Sequence, residues 1–239
     1  MTIAANGWLD WTVHAPGIPD KTYSEPNRGI GLIGHSIVGS YQAAIGRFMS
    51  EQRDAAGWYT PYAAASVMFI ACQDGEIIQC YPVTASTWTS GGREANTSYW
   101  AIEAEGGAPG NEREPLTDAQ VAGILRLCRE WEAAHPGEQV RPGTTFREHG
   151  EIARQFGYSA TACPSNRYQR LYEALEDDMD EAKVLEIIAA DLERRRLAGP
   201  GISTLERVET FVEDAFTAAQ GAKTIKGLRK ALHPDGPQP

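Results

Sequence analysis

Four cysteines and five histidines are all that 239 residues provide. The N-terminus "MTIAANGWLDWTVHAPG" lacks a basic start and an apolar core, so it predicts no signal peptide. The chain is therefore expected to be made in the cytoplasm, and any action outside depends on another route of release. In that reducing setting the cysteines argue for free thiols or ligands rather than a disulfide framework. Cys72 and Cys80, which flank the turn "QDGE", keep a disulfide as the weaker alternative. Long apolar runs are missing as well. None approaches the ~20 residues of a membrane span, so membrane insertion is not expected. Basic residues are in deficit, 22 Lys and Arg against 32 Asp and Glu, for a net charge of -10. That balance argues against a general nucleic-acid binder. No repeat or low-complexity block is present. What remains is the composition of a globular protein, 42% hydrophobic and 23% charged, with enough chain to bury a substantial core.

The chain reads as loop-rich over 1–28. "RGIGLIGHSIVGS" then predicts a short buried strand running into a small-residue turn. "YQAAIGRFMSEQRDAAG" carries Ala44, Ile45, Phe48 and Met49 at helical spacing. "ASVMFIACQDGEIIQCYPV" predicts a hairpin, two β-rich runs joined at Asp74-Gly75. "SYWAIEAEG" predicts a further strand. "LTDAQVAGILRLCREWEAAHPG" opens with a capping box, Thr117 with Gln120, and buries Val121, Ile124, Leu125 and Leu127 before Pro136-Gly137 ends it. "CPSNRYQRLYEAL" starts one more helix. Strands and helices interleave, which predicts an α/β or α+β architecture: a sheet with helices packed on it. The pattern turns purely helical after about Glu176. One amphipathic face runs through Val184, Leu185, Ile188 and Leu192, and a second through Leu205, Val208, Phe211, Val212 and Phe216, with "GPG" at 199–201 between them. Two domains are expected, 1–176 and a helical appendage over 177–239. Faces of that kind need a partner surface, so the appendage suggests targeting or a homodimer through the C-terminal helices.

The chemistry-bearing residues are few. His35 ends the "GIGLIG" strand, where a side chain opens on a cavity mouth. His149 stands fourteen residues before Cys163, which a proline follows. Zinc favours imidazole nitrogen and thiolate sulfur, and catalytic sites keep three protein ligands with a fourth position open to water. His35, His149 and Cys163 make such a set. Each also has a plainer reading: a polar strand end, a solvated helix end and a small buried hydrophobe.

The stretches that hold these residues resemble the zinc-dependent N-acetylmuramoyl-L-alanine amidases of the type 2 class, whose fold phage endolysins and peptidoglycan recognition proteins share. "GIGLIGHSIVGS" resembles the strand of the first zinc histidine, and "ASVMFIACQDGEIIQCYP" the central hairpin. "TWTSGGREANTSYWAIEAEG" resembles the segment of Trp, Gly, Asn and a strand ending in Glu. "REHGEIA" and "SATACPSNRYQRLYEAL" resemble the second and third ligand segments. The pieces occur in order between Gly29 and Leu175. The resemblance implies a central mixed β-sheet flanked by helices and a zinc ion on His35, His149 and Cys163. It implies hydrolysis of the amide between N-acetylmuramic acid and L-alanine of bacterial cell-wall peptidoglycan, in the manner of a phage endolysin. Thr161 matches the position where relatives carry lysine or threonine as an oxyanion donor. Glu103 is the candidate base. Trp88, Asn96, Tyr59 and Arg93 are the candidate substrate contacts, the aromatic rings for flat faces and Asn96 and Arg93 for amides and carboxylates.

Two departures keep other readings open. Val67 stands where many relatives place a catalytic tyrosine, and Thr89 where they place a histidine after the tryptophan. A binding module on the same fold, with hydrolysis lost, is one alternative. A Cys–His peptidase is the other, and it requires Cys72 or Cys80 to meet His149.

Overall fold

The computed structural model describes residues 3–106, 114–164 and 166–176. The expected helical region over 177–239 lies outside the described residues, and so do its predicted boundary and its proposed role in self-association. Among the described residues eight strands and five helices follow in order: β1 Val13–His14, β2 Thr22–Tyr23, β3 Gly31–Ile37, α1 Tyr41–Phe48, β4 Phe69–Ala71, β5 Ile77–Gln79, β6 Ser86–Thr87, α2 Arg93–Asn96, β7 Tyr99–Glu105, α3 Asp118–Ala134, β8 Phe146–Glu148, α4 His149–Phe156 and α5 Gln169–Glu176.

Six strands form one mixed sheet in the order β1-β5-β4-β7-β3-β8, and β2 and β6 pair apart from it. The β4–β5 hairpin is antiparallel, whereas β7 runs parallel to both β4 and β3, and β8 parallel to β3. Strands covered on both faces read as continuous apolar runs. Nearly every residue of β3 and β7 is accordingly buried. The hairpin turns at the expected Asp74-Gly75. Gly75 adopts φ +89°, and a Cβ there would stand 2.7 Å from the Ala119 carbonyl oxygen. Only glycine serves both the turn and that close approach.

Helix α3 starts as its sequence predicts. The Thr117 side chain accepts from the Gln120 amide, and the Gln120 side chain accepts from the Thr117 amide. The Gln120 side-chain amide also donates to the Ala71 and Glu105 carbonyls at 3.0 and 2.9 Å, so the cap ties the helix to two strands. At the far end, fully buried Trp131 donates its indole N–H to the Gly29 carbonyl at 2.7 Å and stacks on His135 at 4.3 Å between ring centroids.

The strands within 1–28 depart from the loop expected there. They are two residues each, too short to show a period, and exist through pairing with Ile78–Gln79 and Ser86–Thr87. All four cysteines are free thiols, so the Cys72–Cys80 alternative does not form. Among the described residues no helix is long and apolar enough to cross a membrane.

Trp131→Ala empties a fully buried site and orphans the Gly29 carbonyl. It is expected to cost about 3–5 kcal/mol, read as a lower urea midpoint, with Trp131→Phe losing clearly less.

Candidate metal centre and groove

Three segments distant in sequence bring their functional residues to one end of the sheet. β3 and β7 run in register with His35 opposite Glu103, and paired residues face the same side of a sheet. His35 is 2% exposed. On the other flank of β3, Gly34 pairs with Glu148, so β8 delivers the chain to His149 at the first position of α4. The two imidazole rings lie 4.5 Å apart between centroids. Gly34 has no side chain because the Tyr168 ring fills its place, 2.7 Å from where a Cβ would stand. The Tyr168 hydroxyl in turn donates to the His35 carbonyl at 3.0 Å.

Cys163 arrives on a loop and is fixed from three directions. The Ser36 amide donates to its sulfur at 3.3 Å, and the Gly150 amide to its carbonyl at 2.9 Å. Its own amide donates to the Thr161 hydroxyl at 3.1 Å. Each histidine is thus followed by a residue whose N–H holds Cys163. A Cβ at Gly150 would stand 3.0 Å from the Thr161 carbonyl oxygen, close enough that the Thr161 loop would have to give by a few tenths of an ångström.

One donor atom each of His35, His149 and Cys163 lies within 4.8 Å of the others. That bound is the scale of two metal–ligand bonds of about 2.0–2.3 Å laid end to end. Burial holds the His35 imidazole well below its ordinary pKa, and neighbouring His149 adds to the effect. Burial lowers His149 too, partly offset by its hydrogen bond to the Ser90 backbone. Both rings are therefore neutral near pH 7 and keep a lone pair for a cation. Buried Ser90 joins them, since its hydroxyl lies 3.2 Å from His35 Nε2. Two imidazole nitrogens and a sulfur form a donor set that suits zinc.

Glu103 stands beside this cluster, half-buried, with Oε2 enclosed and lacking a hydrogen-bond partner. Burial raises its pKa from 4.5 to about 8, only partly countered by Arg47 and Arg167. A buried carboxylate oxygen without a donor is costly, and a cation beside it removes that cost. Glu103 and Ser36 line a groove of about 420 Å³ whose walls are α1 (Ala44, Arg47, Phe48), Tyr62 and the Trp88–Thr89 loop. A second cleft of about 380 Å³, lined by Glu148, Arg154, Thr161, Cys163 and Asn166, opens beside the sulfur.

The remaining sequence-predicted residues divide. Trp88 lines the groove, and Tyr59 meets its ring edge-on at 5.7 Å. The Tyr59 hydroxyl donates to Asp20 at 2.8 Å, which holds it away from proton transfer. Asn96 is 5% exposed, and its side-chain oxygen accepts the Thr89 and Ser90 amides at 3.1 and 2.6 Å. It supports the loop that touches both histidines rather than presenting an amide to the groove. Arg93 is exposed and paired with Glu25. Val67 is fully buried in the core. Cys72 and Cys80 are buried with thiols pushed up in pKa, Cys80 to about 12, which disfavours the Cys–His peptidase. Sequence reasoning missed Ser36, Ser90 and Gly150, whose roles rest on contacts across the fold.

Residues 11–166 match the profile of the Amidase_2 family, N-acetylmuramoyl-L-alanine amidase. The chain belongs to that family. The solved structure of a selenomethionine derivative of AmpD shares the amidase fold with a TM-score of 0.51 at 19% identity, over 71% of this chain and 97% of that one. An endolysin N-acetylmuramoyl-L-alanine amidase, LysCS, from Clostridium intestinale aligns at 16% identity with a TM-score of 0.47, over 71% and 97%. A mutant endolysin from Bacillus subtilis aligns at 13% identity and 0.49, over 69% and 97%. No curated protein matches the sequence.

In the metal-free amidase the raised pKa of Glu103 has a signed consequence. The folded chain holds this proton more tightly than the unfolded one, so the contribution of Glu103 to stability falls as pH rises from about 4.5 to about 8. The lowered histidines act oppositely, with stability rising as pH approaches 6.5. The stability difference between Glu103→Gln and the parent, from denaturation at each pH without metal, should therefore grow in the variant's favour from acid toward pH 8. A pH-independent difference would refute the assignment.

Proposed function

We propose that the chain is a zinc-dependent N-acetylmuramoyl-L-alanine amidase that degrades bacterial cell-wall peptidoglycan, in the manner of a phage endolysin. The observation that carries this reading is the convergence of His35, His149 and Cys163 beside the unpartnered carboxylate of Glu103.

His35, His149 and Cys163 would hold the zinc. When bound, the ion supplies Lewis acidity, an acidified water and a positive charge that draws the Glu103 pKa back down. Glu103 is the proton carrier. It takes a proton from the water that adds to the lactyl carbonyl carbon and passes it to the L-alanine nitrogen as the C–N bond breaks. The products are a lactyl carboxylate and a free amine. Thr161 accepts from the Cys163 amide, which leaves its own O–H to donate to the oxyanion that develops on the carbonyl oxygen.

Trp88 offers a flat face for a sugar ring or peptide methylenes, and Tyr59 backs it. Arg93 can exchange Glu25 for a stem-peptide carboxylate at the exposed surface. Asn96 serves the substrate indirectly, by fixing Thr89 and Ser90. Residues 177–239, where the sequence predicts helices, are assigned to cell-wall targeting or self-association.

Incubating the purified chain with peptidoglycan should release stem peptides with free L-alanine amino ends, and a chelator should stop the release. Release that ignores the chelator sinks the zinc reading, and binding without release favours the non-hydrolysing module. His35→Ala should lose both metal and cleavage. Glu103→Gln should retain metal while kcat falls by about 10²–10⁴, measured by amino-end labelling.

A further inference from the structure

Arg167 is 1% exposed, yet among the described residues none of its hydrogen bonds goes to a carboxylate. Its guanidinium donates to four oxygens instead: the Glu114 carbonyl at 2.6 Å, the Ser36 hydroxyl at 2.8 Å, the Ala104 carbonyl at 2.9 Å and the Glu105 carbonyl at 2.7 Å. A buried cation loses its hydration and is tolerated only when its donors are met. This one is met by oxygens of Ser36, of the end of β7 and of the segment before α3. Ser36 and Ala104 pair across β3 and β7, one step beyond the His35–Glu103 pair. The backbone N–H of that same Ser36 donates to the Cys163 sulfur. Arg167 lies four residues beyond Cys163 on the same loop. The loop that brings the sulfur therefore also brings the clamp that fixes the amide the sulfur meets.

We infer that Arg167 is a positioning residue for the metal centre, holding Ser36 so that its amide directs the Cys163 thiolate toward the two histidines. The inference rests on the zinc reading above and adds a residue that touches neither metal nor substrate. The Ser36 hydroxyl is the link. It joins a guanidinium spanning β7 and the 114 segment to the backbone amide that donates to the sulfur. That link adds to the β3–β7 pairing that already holds Ser36, and without it the N–H···S bond that orients the sulfur is loosened. Partners at one remove from a metal, as the Ser36 amide is, typically set its affinity by about 10–100-fold, and Arg167 acts through that amide.

The test uses the full chain stripped of metal and titrated with Co²⁺, with the thiolate-to-cobalt charge-transfer band as signature and a chromophoric chelator as competitor for affinity. Ser36→Ala keeps the amide and three of the four Arg167 bonds, so it is expected to fold. Its cobalt and zinc affinities should fall about tenfold, with a shifted or weakened band. Arg167→Met should lose about 10–100-fold if it folds, and if it does not, Ser36→Ala decides. A folded Ser36→Ala with parental affinity and band overturns the inference while leaving the zinc reading intact. A parent chain that takes up no cobalt, or takes it up without the thiolate band, overturns both. Metal-free melting of each variant separates the two roles. A merely structural part for Arg167 lowers the melting temperature and leaves metal affinity and band unchanged.

Discussion

Two backbone N–H groups converge on Cys163, and the rest of the site depends on them. One belongs to Ser36 and reaches the sulfur, the other to Gly150 and reaches the carbonyl oxygen. Because Ser36 follows His35 and Gly150 follows His149, these bonds lock the three donor residues to one another through main chain. Side-chain rotamers then have little left to decide. A cation entering such a site meets donors already gathered, so less ordering free energy is spent on binding. The sheet makes this lock available. β8 lies against β3 in parallel register, and so His149 begins its helix where β3 presents His35.

The electrostatics follow from the same enclosure. Burial keeps both imidazoles neutral and lifts the Glu103 carboxyl, so the metal-free site favours uncharged groups throughout. One divalent charge reverses the balance for the sulfur and the carboxylate together. The burial that lifts the Glu103 carboxyl also leaves its Oε2 without a hydrogen-bond donor. Val67 does not disturb this arrangement. It is core, packed in the same cluster as Ile33, Ile70 and Ala101.

Sequence patterns exposed the long elements and the donor atoms. The Asp-Gly hairpin, the capped helix at Thr117 and the apolar run before His35 each carry a local signal of turn chemistry or period. His35, His149 and Cys163 were legible through their order and their rarity. The short strands were not, because two or three residues have no period and form only against a neighbour already in place. The inward turn of Asn96 was equally hidden. An asparagine between glycines and a strand reads as a surface amide until the fold shows which backbone amides it accepts. Ser90 and Arg167 matter through bonds that span 55 residues in one case and 131 in another, and no local window contains such partners.

The groove wall and the metal donors come from separate stretches of chain. Helix α1, Tyr62 and Trp88 shape the cavity above Glu103, while the donor residues are bound to one another at the sheet's end. Selection, or a protein engineer, can therefore remodel the α1 and Tyr62 side of the cavity, whereas Ser36 and the Trp88–Thr89 loop are tied to the donor residues. What that side of the groove admits and what the donor cluster holds are separately inheritable in this scaffold.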